Sequence, residues 1–127
     1  MKIAIPVKTN KENPAVAPLF GKAKCFALVT DKNVEIVANP ARGGRAVIEW
    51  MVNEGVDTII FQEMGTTPYE MIKAVGTITL FHAGYERVLL SEVLEKFEKN
   101  ELPLVDDTNI DEIIAHHESK HSHGHGH

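Results

Sequence analysis

Short apolar runs separated by polar or turn residues predict a series of strands along the chain. The apolar residues of 3–7 alternate with less apolar neighbours, which is typical of a strand. Two further runs, 25–29 and 34–37, flank the turn residues Asp31-Lys32-Asn33. This arrangement predicts a β-hairpin. Later runs that predict strands lie at 58–61 and 78–80.

Apolar residues at helical spacing predict helices after the hairpin. The first helix follows Gly43-Gly44 and the second starts at Thr67-Pro68, where threonine caps the helix and proline takes its first position. The third has an apolar stripe over 90–97, and Ile110, Ile113 and Ile114 predict a short fourth helix. Strands that alternate with helices pair in parallel, with the helices across the sheet faces. We therefore expect an α/β fold whose mixed, mostly parallel sheet has about five strands.

Length and charge narrow the class of protein. The chain has 127 residues, which suits one domain, and its formal net charge of −5 argues against a nucleic-acid partner. The single cysteine excludes an intramolecular disulfide and every multi-cysteine metal site built from this chain alone. The longest unbroken apolar run is residues 25–29, far too short to span a membrane. We expect a cytoplasmic protein.

Composition changes sharply near the end of the chain. We expect a single α/β domain over 1–104, a linker with the short helix over 105–115, and a flexible tail over 116–127. The tail contains no apolar residue that could offset the entropy lost on ordering it. Six of the seven histidines lie in it: His116, His117, His121, His123, His125 and His127.

Neutral imidazole is a ligand for Ni, Zn, Co and Cu, so this tail is a candidate site for a divalent transition metal. His117 and His121 are one helical turn apart, and the later histidines alternate as they would on an extended chain. The alternative interpretation is a purification remnant, although Ser122 and two glycines interrupt the run, unlike a plain hexahistidine.

Four residues of the body are candidates for contact with a cofactor. Cys25 could supply a thiolate if it were partly exposed, whereas a buried cysteine would only fill space. His82 stands at the carboxyl end of a predicted parallel strand, where open α/β sheets bind ligands, or it is an ordinary loop histidine. Arg42 and Arg45 surround a glycine pair at a helix start and could meet an anion, or they are solvated surface residues.

Several segments resemble the dinitrogenase iron–molybdenum cofactor biosynthesis family over about residues 1–104. The opening strand and the segment Phe20-Gly21-Lys22-Ala23-Lys24-Cys25-Phe26 are similar to the start of that family. Asn39-Pro40, Gly55-Val56-Asp57 and Glu101-Leu102 follow in the family's order. Met64-Gly65-Thr66-Thr67-Pro68 stands in place of the family's Ile-Gly-Pro-Asn-Ala turn, and Leu19 in place of a histidine that many relatives have.

This resemblance implies a ribonuclease H-like three-layer fold and a role in binding metal or metallocluster precursors, without nuclease chemistry. The favoured function is a small non-catalytic protein that binds or carries a metal or an iron–sulfur or iron–molybdenum type cluster. Its partner would be a metallocluster donor or recipient protein. Two alternatives remain open: an enzyme of unknown reaction that uses the strand-end cleft, and a regulatory or interaction module whose tail is incidental.

Overall fold

The computed structural model describes the backbone of residues 1–122 and the side chains of residues 1–117. Its strands are β1 Lys2–Val7, β2 Cys25–Thr30, β3 Asn33–Ala38, β4 Thr58–Phe61, β5 Thr79–His82 and β6 Leu104–Val105. Its helices are α1 Gly43–Asn53, α2 Thr66–Val75, α3 Leu90–Glu98 and α4 Ile110–Ser122, and a short 3-10 turn spans Phe20–Lys22.

The strands form one mixed sheet in the order β3-β2-β1-β4-β5-β6. The predicted hairpin is confirmed as β2 and β3, which pair antiparallel across a turn where Asp31 has a φ of 51°. β1 pairs in parallel with β4, and β4 in parallel with β5. In the described part of the chain the sheet has six strands rather than about five. Three of its pairings are antiparallel and two parallel, because β6 adds an antiparallel edge.

Helices cover both faces of the sheet. Alternate residues of each strand point to opposite faces, so β1 directs Ala4 to one core and Ile3 and Ile5 to the other. The helices α1, α2 and α4 pack on the Ala4 side, and α3 packs on the opposite side. The molecule therefore has three layers, as the sequence predicts.

α2 begins earlier than the sequence predicts. Its first residue is Thr66 and its N-cap is Gly65, which has no side chain to donate or accept, so Thr67 is not the cap. Proline is tolerated in the first helical turn, which allows Pro68 to be the third residue of the helix. α2 ends at Gly76, which has a φ of 77° and caps the helix in the left-handed conformation.

α4 is longer than the short helix predicted from its isoleucines. Ile110 and Ile113 are 3% and 4% exposed and belong to the core shared with α1 and α2. The helix continues to Ser122, so it crosses the boundary expected at His116, and β6 occupies the start of the expected linker. Burial of its first turn stabilises the helix enough to extend beyond the last apolar residue.

A hydrogen-bonded pair anchors the loop that precedes α4. Tyr69 of α2 donates its hydroxyl proton to Asp107 Oδ1 at 2.6 Å, and Lys73 lies 3.2 Å from the same oxygen. Burial, with the hydrogen bond to Asp107, raises the pKa of Tyr69. The same hydrogen bond, with help from Lys73, lowers the pKa of Asp107.

Among the described residues, no helix is both long enough and apolar enough to cross a membrane.

Candidate functional site

The carboxyl ends of the parallel strands β1, β4 and β5 lie along one edge of the sheet, where open α/β proteins bind ligands. The chain leaves β1 into the long segment 8–24, leaves β4 into 62–65, and leaves β5 into 83–89. The first two segments pair locally: Glu63 N–H donates to Pro18 O at 3.1 Å, and Phe20 N–H donates to Glu63 O at 3.2 Å. These bonds fix the position of Glu63 beside the 3-10 turn.

A cavity of about 230 Å³, here called the glycine cavity, opens between these segments. Its walls are Leu19, Phe20, Gly21, Lys22, Gly43, Gly44, Glu63, Met64, Gly65, Pro68 and His117. The four glycines come from the 3-10 turn, the start of α1 and the cap of α2. A cavity of this size accepts a ligand several times larger than one water molecule, whose share of liquid volume is about 30 Å³.

Glycine is required where the walls approach one another. A Cβ on Gly44 would lie 2.4 Å from Pro68 Cγ, and a Cβ on Gly21 would lie 2.9 Å from the Gly44 nitrogen. Gly43 has a φ of 84°, a conformation that favours glycine. The first turns of α1 and α2 thus both face the glycine cavity. Helix N-termini carry partial positive charge, so this end of the cavity favours an anion.

Glu63 and His117 bring ionisable groups to the same cavity. Glu63 follows β4 and is only 2% exposed. His117, on α4, places its Nδ1 atom 3.5 Å from Glu63 Oε1. A buried carboxylate needs a compensating charge or hydrogen bonds, and the imidazole of α4 lies where it can provide one.

A second cavity of about 310 Å³, here called the lysine cavity, shares Leu19 and Lys22 with the first. Lys8 and Lys24 also line it. The three lysines lie on the outer side of the 3-10 turn and are exposed. They add positive charge next to the glycine cavity.

A third cavity of about 370 Å³, here called the histidine cavity, lies between the end of β5 and α4. The His82 and Tyr85 rings meet edge to face with their centroids 4.7 Å apart, and the Tyr85 and His116 rings meet at a tilt of 39° with their centroids 4.0 Å apart. His82 Nε2 lies 2.9 Å from Gln62 O, and since a carbonyl oxygen only accepts, this nitrogen holds the proton. Burial lowers the pKa of His82 despite that hydrogen bond. Burial and the charge of Glu112 raise the pKa of Tyr85.

The structure does not bring the four body candidates together. Arg42 and Arg45 are exposed and flank the two glycines of the glycine cavity, whereas His82 lines the histidine cavity. Cys25 is a free thiol of intermediate exposure that packs with the α3-side core. Because β2 alternates, Phe26 faces the α1 side and Cys25 the opposite side.

Of the histidines predicted as metal ligands, the structure describes the side chains of two. His116 and His117 lie on α4 and line different cavities. The His121 side chain and all of residues His123, His125 and His127 lie outside the described residues. Within the described part of the chain, no group of three or more His, Cys, Asp or Glu residues could hold a metal ion.

Glu63 is the residue of this site that the sequence did not single out as a ligand. The available signal was its position, since Gln62-Glu63 directly follows the buried strand β4. Gln62 faces the other way and donates through Nε2 to Glu86 O at 2.6 Å. Periodicity alone could not indicate which of these two polar residues faces a cavity.

The fold and its edge cavities define a small three-layer α/β protein with a ligand-sized, glycine-walled site at the carboxyl ends of its parallel strands. The chain belongs to the dinitrogenase iron-molybdenum cofactor family, whose model matches residues 1–100. This confirms the family resemblance that the sequence motifs indicate. α4 lies beyond the matched residues.

Three known proteins are similar to this chain in sequence or in fold. An uncharacterized protein of Methanocaldococcus jannaschii is 32% identical, over 77% of this chain and 92% of that protein. The apo form of the orange protein from Desulfovibrio gigas is similar with a TM-score of 0.72 and 19% identity, over 82% of this chain and 92% of that one. A protein from M. jannaschii, provisionally described as a dinitrogenase, has a TM-score of 0.63 and 21% identity, over 84% and 95%. The two structural likenesses confirm the predicted fold.

Proposed function

We propose that the protein binds an iron–sulfur or iron–molybdenum type cluster, or a precursor of one, in the glycine cavity and carries it between metallocluster-handling proteins. The cluster is cargo, held without a reaction on the protein. One observation supports this most strongly: two helix N-termini and four glycines surround a cavity of about 230 Å³ at the carboxyl edge of the sheet. Family membership makes a metallocluster the appropriate class of ligand.

The charges around the cavity suit such a ligand. Clusters that carry sulfide ligands are anionic overall, and the first turns of α1 and α2 present N–H groups without intrahelical acceptors. Lys22 lines both the glycine cavity and the lysine cavity, so it adds positive charge at the cavity entrance. Arg42 and Arg45, exposed beside the glycines, are proposed to attract the anion rather than to ligate it.

The transition-metal tail remains a separate proposal. Imidazoles of residues 116–127 would capture Ni, Zn, Co or Cu as free divalent ions, in addition to the cluster. Cys25 and His82 lie away from the glycine cavity, so their proposed role in cluster binding is weaker than that of the residues that line it. The proposed location is the cytoplasm, where the donor and recipient proteins would be found.

The test is anaerobic reconstitution of the full chain with ferrous iron and sulfide, followed by desalting and measurement of bound iron and sulfide. Gly65→Leu is the informative variant. Gly65 has a φ of −83°, which any residue adopts, and an added Cβ meets only His117 at 3.6 Å and Pro68 at 4.0 Å. A leucine there would fill the cavity without backbone strain.

We expect Gly65→Leu to lose cluster uptake. Lys96→Leu, which adds the same side chain to an exposed position on α3, should retain it. Uptake that is equal in both variants would exclude the glycine cavity as the cluster site. A full-length chain that takes up no cluster would refute the proposed function itself.

A further inference from the structure

Glu63 and His117 meet at the glycine cavity although they are more than fifty residues apart in the sequence. We propose that these two residues are the protein ligands of the bound cluster: His117 through an imidazole nitrogen and Glu63 through its carboxylate. This inference rests on the proposed function and assigns ligand residues to that site. This inference is supported by the buried carboxylate of Glu63 and the partly buried imidazole of His117, which line the same cavity.

The distance between the two side chains suits a shared metal ion. His117 Nδ1 and Glu63 Oε1 are 3.5 Å apart. A tetrahedral metal with nitrogen and oxygen ligands at about 2.0–2.2 Å separates those two donors by about 3.4 Å. The pair is thus close to the spacing that ligation of one ion requires.

Because the carboxylate of Glu63 is buried, a metal ion is a suitable partner for it. A carboxylate that is 98% buried, as its 2% exposure implies, is costly unless a positive charge or hydrogen bonds compensate it. A metal ion supplies more positive charge than a protonated imidazole does. On binding the metal, His117 would release any proton from the ligating nitrogen, because only neutral imidazole ligates.

Two protein ligands favour a cluster over a lone divalent ion. Structural zinc sites use four protein ligands, and no group of three candidate ligands occurs within the described residues. Each iron of a cluster already has two or three sulfide ligands, so this pair would complete the coordination of one iron while the other irons keep ligands from outside the protein. The volume of the glycine cavity also exceeds what a single ion would occupy.

The imidazole comes from a part of the chain that the family match does not include. His117 lies on α4, beyond the matched residues 1–100, and Ile110 and Ile113 hold that helix against the core. Leu19, whose backbone pairs with Glu63 in this cavity, has an apolar side chain that cannot ligate a metal. α4 therefore supplies a ligating group that the wall at Leu19 lacks.

The experiment uses the full chain reconstituted anaerobically with ferrous iron and sulfide, reduced, and studied by pulsed electron paramagnetic resonance. An imidazole bound to a paramagnetic cluster gives a ¹⁴N coupling. We expect this coupling in the unmodified chain and its loss in His117→Gln, with cluster affinity lower by about ten- to a hundredfold. Asp111→Asn, at an exposed position of the same helix, should retain both.

Glu63→Gln is the second variant, and it keeps the test decisive if His117→Gln does not fold. It should lower cluster affinity while the ¹⁴N coupling remains. Unchanged coupling in a folded His117→Gln protein, or unchanged affinity in Glu63→Gln, would overturn the ligand assignment while leaving the proposed function intact. If the unmodified chain takes up no cluster, the proposed function fails, and this inference fails with it.

Discussion

Gly44 shows how one absent side chain shapes the candidate site. It lies in the first turn of α1, where the helix passes Pro68 at the start of α2, and a Cβ there would approach the proline ring to 2.4 Å. A proline ring cannot rotate away as a flexible side chain does. The close approach of α1 to α2, and with it the narrow wall of the glycine cavity, therefore depends on glycine at this position.

We expect Gly44→Ala to destabilise the protein by about 1–3 kcal/mol, the usual cost of forcing extra atoms into a packed contact. Urea unfolding measures this difference. Arg45→Ala, on the exposed side of the same turn, should change the free energy of unfolding by less than about 0.5 kcal/mol. Alanine is a better helix former than glycine by about 1 kcal/mol, so a stabilised Gly44→Ala protein would show that the contact with Pro68 relaxes freely.

His82 gives the structure a testable pH dependence. Burial lowers the pKa of His82 in the folded protein below the ordinary value, so the unfolded chain binds this proton more readily. The His82 contribution to stability is therefore present above the unfolded pKa of about 6.5 and is lost as the pH falls through that value. His82 contributes to the stability of the folded protein in its neutral form.

Thermal unfolding between pH 7.5 and 5.5 tests this effect. The melting temperature should fall with pH, and the fall should be smaller in His82→Gln, which no longer titrates. His125→Gln is the control for removal of a histidine as such. If His82→Gln shows the same pH slope as the unmodified chain, other groups account for the acid sensitivity.

At the scale of elements, α4 joins the core to the site. Its first turn buries Ile110 and Ile113, its middle carries His116 and His117 to two cavities, and the Tyr69–Asp107 hydrogen bond fixes the loop before it. The sequence predicts the start of this helix because its isoleucines have helical spacing. The later turns contain no isoleucine stripe, so periodicity could not show that the helix reaches Ser122.

Ile113→Ala should cost about 2–5 kcal/mol, because it removes buried methyl groups and leaves a cavity beneath α4. Val52→Ala, at a residue of α1 that is 43% exposed, should cost much less. Chemical denaturation compares the two variants. A small effect of Ile113→Ala would mean that α4 contributes little to the core.

At the scale of the whole molecule, the amino-acid sequence predicts the order of the strands and helices well, but it predicts the candidate site only in part. Runs of apolar residues locate β1 and the hairpin, and apolar residues at helical spacing locate the first three helices. The face of Cys25 could not be predicted, since both sides of β2 are apolar. Glu63 and His117 are more than fifty residues apart, and only the tertiary fold brings them together.

In the intact protein, the binding of free divalent ions and the binding of a cluster should therefore depend on different residues. If residues 116–127 capture free divalent ions, replacing His123, His125 and His127 together by glutamine should weaken Ni²⁺ binding, measured by calorimetric titration. Binding by the unmodified chain should weaken as pH falls through about 6.5, because imidazole must lose its proton to ligate. Cluster uptake should be unchanged in the triple variant, since it leaves the proposed cluster ligands Glu63 and His117 in place. If the triple variant binds Ni²⁺ as tightly as the unmodified chain, the ion binds elsewhere. If the triple variant loses cluster uptake together with Ni²⁺ binding, the ion and the cluster both depend on the tail.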